Sequence, residues 1–303
     1  MKSVAIVTMS DSNFFELLTE LVESINSFSQ RNSVAICVLD AGLKENEIQS
    51  IKKKVDTIKK ANWDIKVPEY KVKGKEWLKS QVSRAFLPNY FPGYKKYLWI
   101  DADAWVNSWD AIKLYIDGSN DSKLAISTSA DRSYGRVLRV DWIFGGFAKV
   151  KSQNYKHAKS SGFSENIARK VALKPHLNIG VFCLEHNAPH WDIWQKNLSK
   201  ALKSGKVWGS EQIAMNITIY NDEQKIEILP AYCNWTLVNH LKFDTDKNTF
   251  VEPYLPHHEI GIIHLAGKDN KNRFNKNYLA EIPTVDGKIV KKSLRYTKNL
   301  DKI

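Results

Sequence analysis

Asp101-Ala102-Asp103 is the triplet in this chain best suited to chemistry. Four apolar or aromatic residues, Tyr97-Leu98-Trp99-Ile100, precede it and read as a buried strand. In open α/β sheets, ligands bind beyond the C-terminal ends of strands. Residues two apart on a strand share a face, so the two carboxylates are expected to converge. Left alone they repel; a divalent cation relieves that repulsion. The competing reading is a solvated loop, where Asp is common. Far downstream, Gly261-Ile262-Ile263-His264 reads as a short strand ending in His, with Gly267, Lys268, Lys271 and Arg273 just after it. An imidazole beside two carboxylates is a mixed nitrogen–oxygen ligand set suited to manganese. A lone His is more often a core residue, and the adjoining basic glycine turn is what favours a ligand role here. A third candidate, Thr8-Met9-Ser10-Asp11-Ser12-Asn13, lies between a strand and a helix start, where free N–H groups collect. Without glycines it suits a base or ribose better than a phosphate. The competing use is a helix cap by Ser12 or Asn13.

The elements that must position these groups alternate strand and helix. Val4–Val7 and Val34–Leu39 read as buried strands, and each is followed by an amphipathic helix. Trp77–Phe86 reads as a helix ended by Leu87-Pro88. Further strands are expected at 124–127, 179–184, 226–229 and 261–264, with helices opening at Pro189 and Glu211. Residues 130–170 read as irregular and basic. This alternation predicts an α/β fold, an open and mostly parallel sheet flanked by helices, in a single domain over 1–280. A basic tail over 281–303 carries Lys288, Lys291, Lys292, Arg295, Lys298 and Lys302, and is expected to be solvated. The alternative use of that tail is peripheral contact with an anionic membrane.

Composition narrows the class. The 303 residues are 43% hydrophobic and 26% charged, which is a globular mixture. The net charge of +12 implies anionic company, a nucleotide or phosphorylated substrate among others. Basic residues are dispersed and no nucleic-acid-reading module is visible, so no nucleic acid is expected. Three scattered cysteines do not make a disulfide framework or a zinc site. No apolar run reaches membrane-helix length, and the N-terminus is too polar for a signal peptide. The expected location is cytoplasmic, with peripheral attachment to the inner face of a membrane as the tail's contribution.

Seven motifs in order make the chain resemble the nucleotide-sugar glycosyltransferases with the GT-A (Rossmann-like) fold, most closely glycosyltransferase family 8. They are Met9-Ser10-Asp11-x-Asn13, Arg84 within Ser83-Arg84-Ala85-Phe86, and Asp101-Ala102-Asp103. Asn178-Ile179-Gly180-Val181, Glu211-Gln212 with Asn216, Leu229–Trp235 and His264-Leu265-Ala266-Gly267 complete the set. The resemblance implies a UDP-sugar donor, transfer of a hexose to a glycan or lipid-linked acceptor with retention of configuration, and a bound manganese or magnesium ion. Asp101, Asp103 and His264 would hold the ion. Met9, Ser10, Asp11, Asn13, Arg84, Asp101, Ala102, Asn178, Gly180, Gly267, Lys268 and Lys271 would contact the nucleotide-sugar. Gln212 would stand near the anomeric carbon, Glu211 would bind sugar hydroxyls or steer a proton, and Asp103 would serve catalysis through the metal.

Two departures stand out. The family's Lys three after the glycine is Asn270 here, which shifts phosphate contact to Lys268 or Lys271. Ile213 replaces an acidic residue that helps hold the sugar. Gln212 is a poor nucleophile, so same-face displacement is the favoured mechanism, the acceptor proton leaving with a phosphate oxygen. Trp142 and Trp235, in less regular segments, are the candidate acceptor platforms. Competing functions are a haloacid-dehalogenase-like phosphatase and a non-catalytic nucleotide-binding relative.

Overall fold

A computed structural model of the chain describes residues 2–129, 131–133, 138–143, 145–237, 240–266 and 272–297. β1 (Val4–Ser10) and α1 (Phe15–Asn26) open the chain, followed by β2 (Val34–Asp40), α2 (Glu45–Lys52) and β3 (Thr57–Lys60). Residues 69–90 wind through α3 (Glu69–Val72), α4 (Ser80–Ser83) and α5 (Leu87–Tyr90), joined by 3-10 turns. β4 (Lys96–Ile100), β5 (Ala104–Val106), α6 (Trp109–Gly118) and β6 (Leu124–Thr128) come next. The hairpin of β7 (Leu138–Ile143) and β8 (Phe147–Ser152) leads into α7 (Gln153–Ser160), α8 (Glu165–Ala172) and β9 (Leu177–Glu185). α9 (His190–Ser204), α10 (Ser210–Tyr220) and β10 (Ile226–Leu229) end the main layer. The remainder is β11 (Trp235–Thr236), β12 (Lys242–Asp244), β13 (Thr249–Val251), β14 (Ile262–His264), β15 (Ala280–Pro283) and β16 (Ile289–Lys292).

Seven strands form one sheet in the order β10-β6-β9-β4-β1-β2-β3. β1 pairs in parallel with β2 and β4, and β2 with β3; only β9 runs antiparallel, to both β4 and β6. Burial on both faces explains why the central strands are apolar throughout rather than alternating. The period of two still sorts their side chains. Ala5, Val7, Cys37, Leu39, Tyr97 and Trp99 enter the core on one face. Val4, Ile6, Ile36, Val38, Leu98 and Ile100 enter the core on the other, under α1. The amphipathic stripe of α1 lies there through Leu18, Leu21, Val22 and Ile25, all fully buried.

Several expectations need correction. β1 continues through Thr8, Met9 and Ser10, residues read as turn, because pairing with β2 runs on to Asp40. Pro88 does not end a helix: it sits in the first turn of α5, where its missing N–H costs nothing. The segment read as irregular holds a β-hairpin and the two helices α7 and α8, each capped by a serine, Ser152 and Ser164. Of the residues read as a tail, 281–297 form the β15–β16 hairpin and a turn that buries Leu294 and Arg295. Lys288 pairs with Asp286 at 2.9 Å and Lys291 with Glu281 at 3.7 Å, while the Lys292 ammonium lies over the Phe243 ring. Lys298 and Lys302 lie outside the described residues. Among the described residues, no helix is long and apolar enough to cross a membrane.

Candidate active site

The two aspartates do not converge by strand alternation. β4 stops at Ile100, and Asp101-Ala102-Asp103 is a turn into β5, closed by the Ala104 N–H donating to Asp101 O at 3.1 Å. A turn aims both carboxylates at one side as effectively as a strand would. Three pairings then assemble the site. β14 runs antiparallel to β5 with His264 opposite Ala104. The Leu265 N–H donates to Asp103 O at 2.8 Å. β9 lies antiparallel to β4, and the Asp101 N–H donates to Gly180 O at 2.8 Å.

The result is a triad. Ligand atoms of Asp101, Asp103 and His264 all lie within 4.8 Å of one another. His264 Nδ1 donates to Asn234 Oδ1 at 3.0 Å, which turns Nε2 to the carboxylates, 3.2 Å from Asp103 Oδ1 and 3.9 Å from Asp101 Oδ2. A partner on the far ring nitrogen is the usual way to orient a metal-ligating imidazole. Asp101 Oδ1 is occupied by Trp99 Nε1 at 2.7 Å and by Arg84 Nη2 at 3.1 Å, leaving Oδ2 for the shared space. Two hard carboxylate oxygens and one imidazole nitrogen fit a manganese or magnesium ion.

Charge balance supports this. Burial lifts Asp101 above the usual carboxylate range, helped by Asp103, although Arg84 and His264 pull the other way. Burial acts on Asp103 as well, but the facing His264 and the nearby Arg273 outweigh it and hold Asp103 below that range. Burial disfavours an imidazolium at His264, yet the carboxylates, Asp103 foremost, raise its pKa. A cation in the triad would balance the carboxylate charge that raises the His264 pKa.

Gly180 is sized to this arrangement. A Cβ there would stand 2.4 Å from His264 Cε1 and 3.0 Å from Asp101 Oδ2. His264 is buried and has no room to retreat. Gly180→Ala is therefore expected to displace the imidazole and weaken manganese binding by roughly ten- to a hundredfold. Calorimetric titration with manganese checks it; wild-type affinity would show that the imidazole is no ligand.

The triad's two aspartates form one wall of a cavity of about 480 Å³, whose lining also includes Met9, Ser10, Asp11, Asn13, Arg84 and Ala102. Seven residues expected from sequence to meet the nucleotide-sugar or the metal thus share one cavity with Asp103. Asp11 caps the 3-10 turn that starts α1, accepting from the N–H groups of Asn13 at 3.0 Å and Phe14 at 3.3 Å, so the cap is neither Ser12 nor Asn13. Arg84 is buried: its Nε donates to Ser80 O, its Nη1 to Ile179 O, and its guanidinium lies over the Trp99 ring. Asn178 is half-buried, and its Oδ1 accepts from the Gly180 N–H at 3.1 Å. Gly267, Lys268 and Lys271 lie outside the described residues.

Glu211 and Gln212 open α10. Glu211 is buried, and among the described residues its Oε2 has no hydrogen-bond partner. Burial pushes its carboxyl up to about 7, against the pull of Arg84. An acid raised in the folded state destabilises as pH climbs from its unfolded value through about 7. Metal-free Glu211→Gln is accordingly expected to gain on the order of 3 kcal/mol over wild type at pH 8 and almost nothing at pH 4. Urea melts at the two pH values test this; a pH-independent difference would contradict it.

Sequence reading missed the aromatic mouth of the cavity. Phe14, Trp77 and Trp208 line it, and Trp208 is 64% exposed. Trp77 and Trp208 also line a second cavity of about 900 Å³ with Tyr70, Lys75 and Lys156. Exposed aromatics in short irregular segments were the available signal. Lys71 joins the two sides of this mouth: its ammonium donates to the carbonyls of Leu202, Lys203 and Gly205 at 3.0, 3.3 and 2.9 Å. Trp235, expected as an acceptor platform, stands in β11 beside β14 and is fully buried in the core. Trp142 is 74% exposed on the β7–β8 hairpin.

A family model described as Glycosyl transferase family 8 matches residues 5–269. No curated protein sequence matches the chain. Among solved structures, the galactosyltransferase LgtC in complex with donor and acceptor sugar analogs is 15% identical with a TM-score of 0.53, over 90% of each chain. The bifunctional glycosyltransferase WbbM is 16% identical with a TM-score of 0.54, over 88% of this chain and 46% of its own. GlyE of Streptococcus pneumoniae TIGR4 is 13% identical with a TM-score of 0.53, over 90% of this chain and 56% of its own.

Proposed function

The chain belongs to glycosyl transferase family 8 and is a glycosyltransferase with the GT-A fold, and from that premise we propose that it moves a hexose from a UDP-sugar to a saccharide or lipid-linked acceptor, with retention and with manganese or magnesium held by Asp101, Asp103 and His264. The observation that carries this reading is the meeting of those three side chains, within 4.8 Å, beside the cavity that Asp11 and Asn13 also line. When bound, the ion supplies Lewis-acid stabilisation of the diphosphate leaving group.

The chain's own residues do the rest. Met9, Ser10, Asp11 and Asn13 offer polar contacts to a base and ribose, and the Phe14 ring closes that end of the cavity. Arg84 holds Asp101 in place and works against the burial that raises its carboxyl. Arg273 lies close enough for its charge to lower the Asp103 carboxyl. Glu211 Oε2 is a buried acceptor with no donor among the described residues, suited to a sugar hydroxyl. Gln212 stands by the anomeric carbon, and the acceptor hydroxyl passes its proton to the departing phosphate oxygen on the same face. Trp77 and Trp208 form the platform on which an acceptor sugar stacks.

Thermal-shift screening against UDP-sugars with and without manganese tests this reading. A UDP-hexose at a hundred times its Kd is expected to stabilise the protein by about 2.7 kcal/mol, and only with the metal present. Equal shifts with chelator, or none with any UDP-sugar, would overturn it.

A further inference from the structure

His176 lies outside the triad, buried just before β9, and its ring contacts side chains of both α7 and α10. Its surroundings determine the direction of every hydrogen bond around it. Asn154 Nδ2 donates to Val171 O at 3.1 Å and to Lys174 O at 2.9 Å, so both of its amide hydrogens are committed. Asn154 Oδ1 is then an acceptor, and His176 Nδ1, 2.5 Å away, must carry the proton. Burial keeps the ring neutral, its pKa lowered to about 3. A neutral ring protonated at Nδ1 has a lone pair at Nε2. That lone pair faces Gln212 Nε2 at 2.7 Å and Gln153 Nε2 at 3.2 Å. The second amide hydrogen of Gln212 goes to Leu177 O at 2.8 Å.

The consequence reaches α10. With both N–H groups drawn to His176 and Leu177, Gln212 has one polar atom left, its Oε1. Rotating the amide by half a turn would set that oxygen against the His176 lone pair and the Leu177 carbonyl together. Asn216 fixes the same junction from the backbone side: its Oδ1 accepts from the Leu177 N–H and its Nδ2 donates to Gln212 O.

We propose that His176 is a positioning residue that locks the Gln212 amide with its carbonyl oxygen turned away from the protein and toward the donor sugar. The proposal rests on the reading that Gln212 stands by the anomeric carbon. There an electron-rich oxygen stabilises the positive charge that develops as the sugar–phosphate bond breaks, whereas an N–H group would oppose it.

The wild-type protein gives the first test. Nitrogen-15 NMR of the imidazole should show His176 neutral with its proton on Nδ1; a proton on Nε2 would overturn the proposal. Variants give the second, with UDP release from UDP-glucose or UDP-galactose as turnover and UDP as the binding probe. His176→Asn keeps the partner for Asn154 and removes the acceptor for Gln212, so kcat should fall roughly ten- to a hundredfold with UDP affinity and donor KM unchanged. His176→Gln reaches far enough to restore an acceptor there, and should recover most of the turnover. In a Gln212→Ala background His176→Asn should cost nothing further. Full kcat in His176→Asn, or the same loss again on top of Gln212→Ala, defeats the proposal while leaving Gln212's role intact. Undiminished turnover in Gln212→Ala alone would defeat the reading of Gln212, and the proposal with it.

Discussion

Asp103→Asn is expected to lose nearly all transfer, with kcat down on the order of 10²–10³-fold, the range seen when one preorganised stabiliser of a leaving group is removed. The amide keeps the volume of the carboxylate but not its charge. It leaves the His264 Nε2 contact at 3.2 Å without an anionic partner and removes one of the triad's two carboxylates. The chain should still fold, but His264 holds the Asp103 carboxyl below the usual carboxylate range, so in chelator the variant loses that pairing and should melt somewhat below the wild-type temperature. Donor turnover with manganese, paired with a melt in chelator, separates the two effects. Native turnover in the variant would mean that this triad is not the metal centre.

Arg295→Ala should unfold the protein far more readily without touching the chemistry. Its guanidinium bridges Glu20 Oε1 and Oε2 at 2.5 and 3.0 Å, reaches Glu16 at 3.0 Å and donates to Phe274 O at 2.9 Å. Arg295 and Glu20 are both buried, so truncation strands a carboxylate without its counter-ion, at a cost of about 3–5 kcal/mol. The melting temperature should drop by roughly ten degrees. Glu20→Gln with Arg295→Met should recover much of the loss, because replacing both partners leaves no uncompensated charge. A wild-type melt for Arg295→Ala would show that this segment contributes nothing to the fold.

That second expectation was invisible in the sequence, where Arg295 is one basic residue among six near the C-terminus. Composition reports charge but not which charge meets a partner on α1. What could be read was local and strongly patterned. β1, β2 and β4 are apolar on both faces, and such runs have few alternatives to a central parallel strand. The cavity residues Met9, Ser10, Asp11, Asn13, Arg84 and Asp101 through Asp103 fell within short motifs in a fixed order, so they were legible before any coordinates. Long-range pairing was not. That β14 lies beside β5, which delivers His264, is a register between segments with no local signature. The helices α7 and α8 were missed because their apolar faces are short, a few residues each, and their caps are single serines. Trp235 misled for a related reason: a segment that reads as irregular can hold a two-residue strand, β11, that pairs with β14 inside the core.

Lys71 gives the mouth of the cavity a mechanical property. One ammonium grips three carbonyls where α9 ends, and the chain on either side of that grip carries Trp77 and Trp208. The two indoles are therefore hinged to a common pin, so neither bank of the opening can swing without dragging on the other. Neutralising that single nitrogen, as acylation would, uncouples the banks and converts a gap of defined width into one set by whatever molecule enters it.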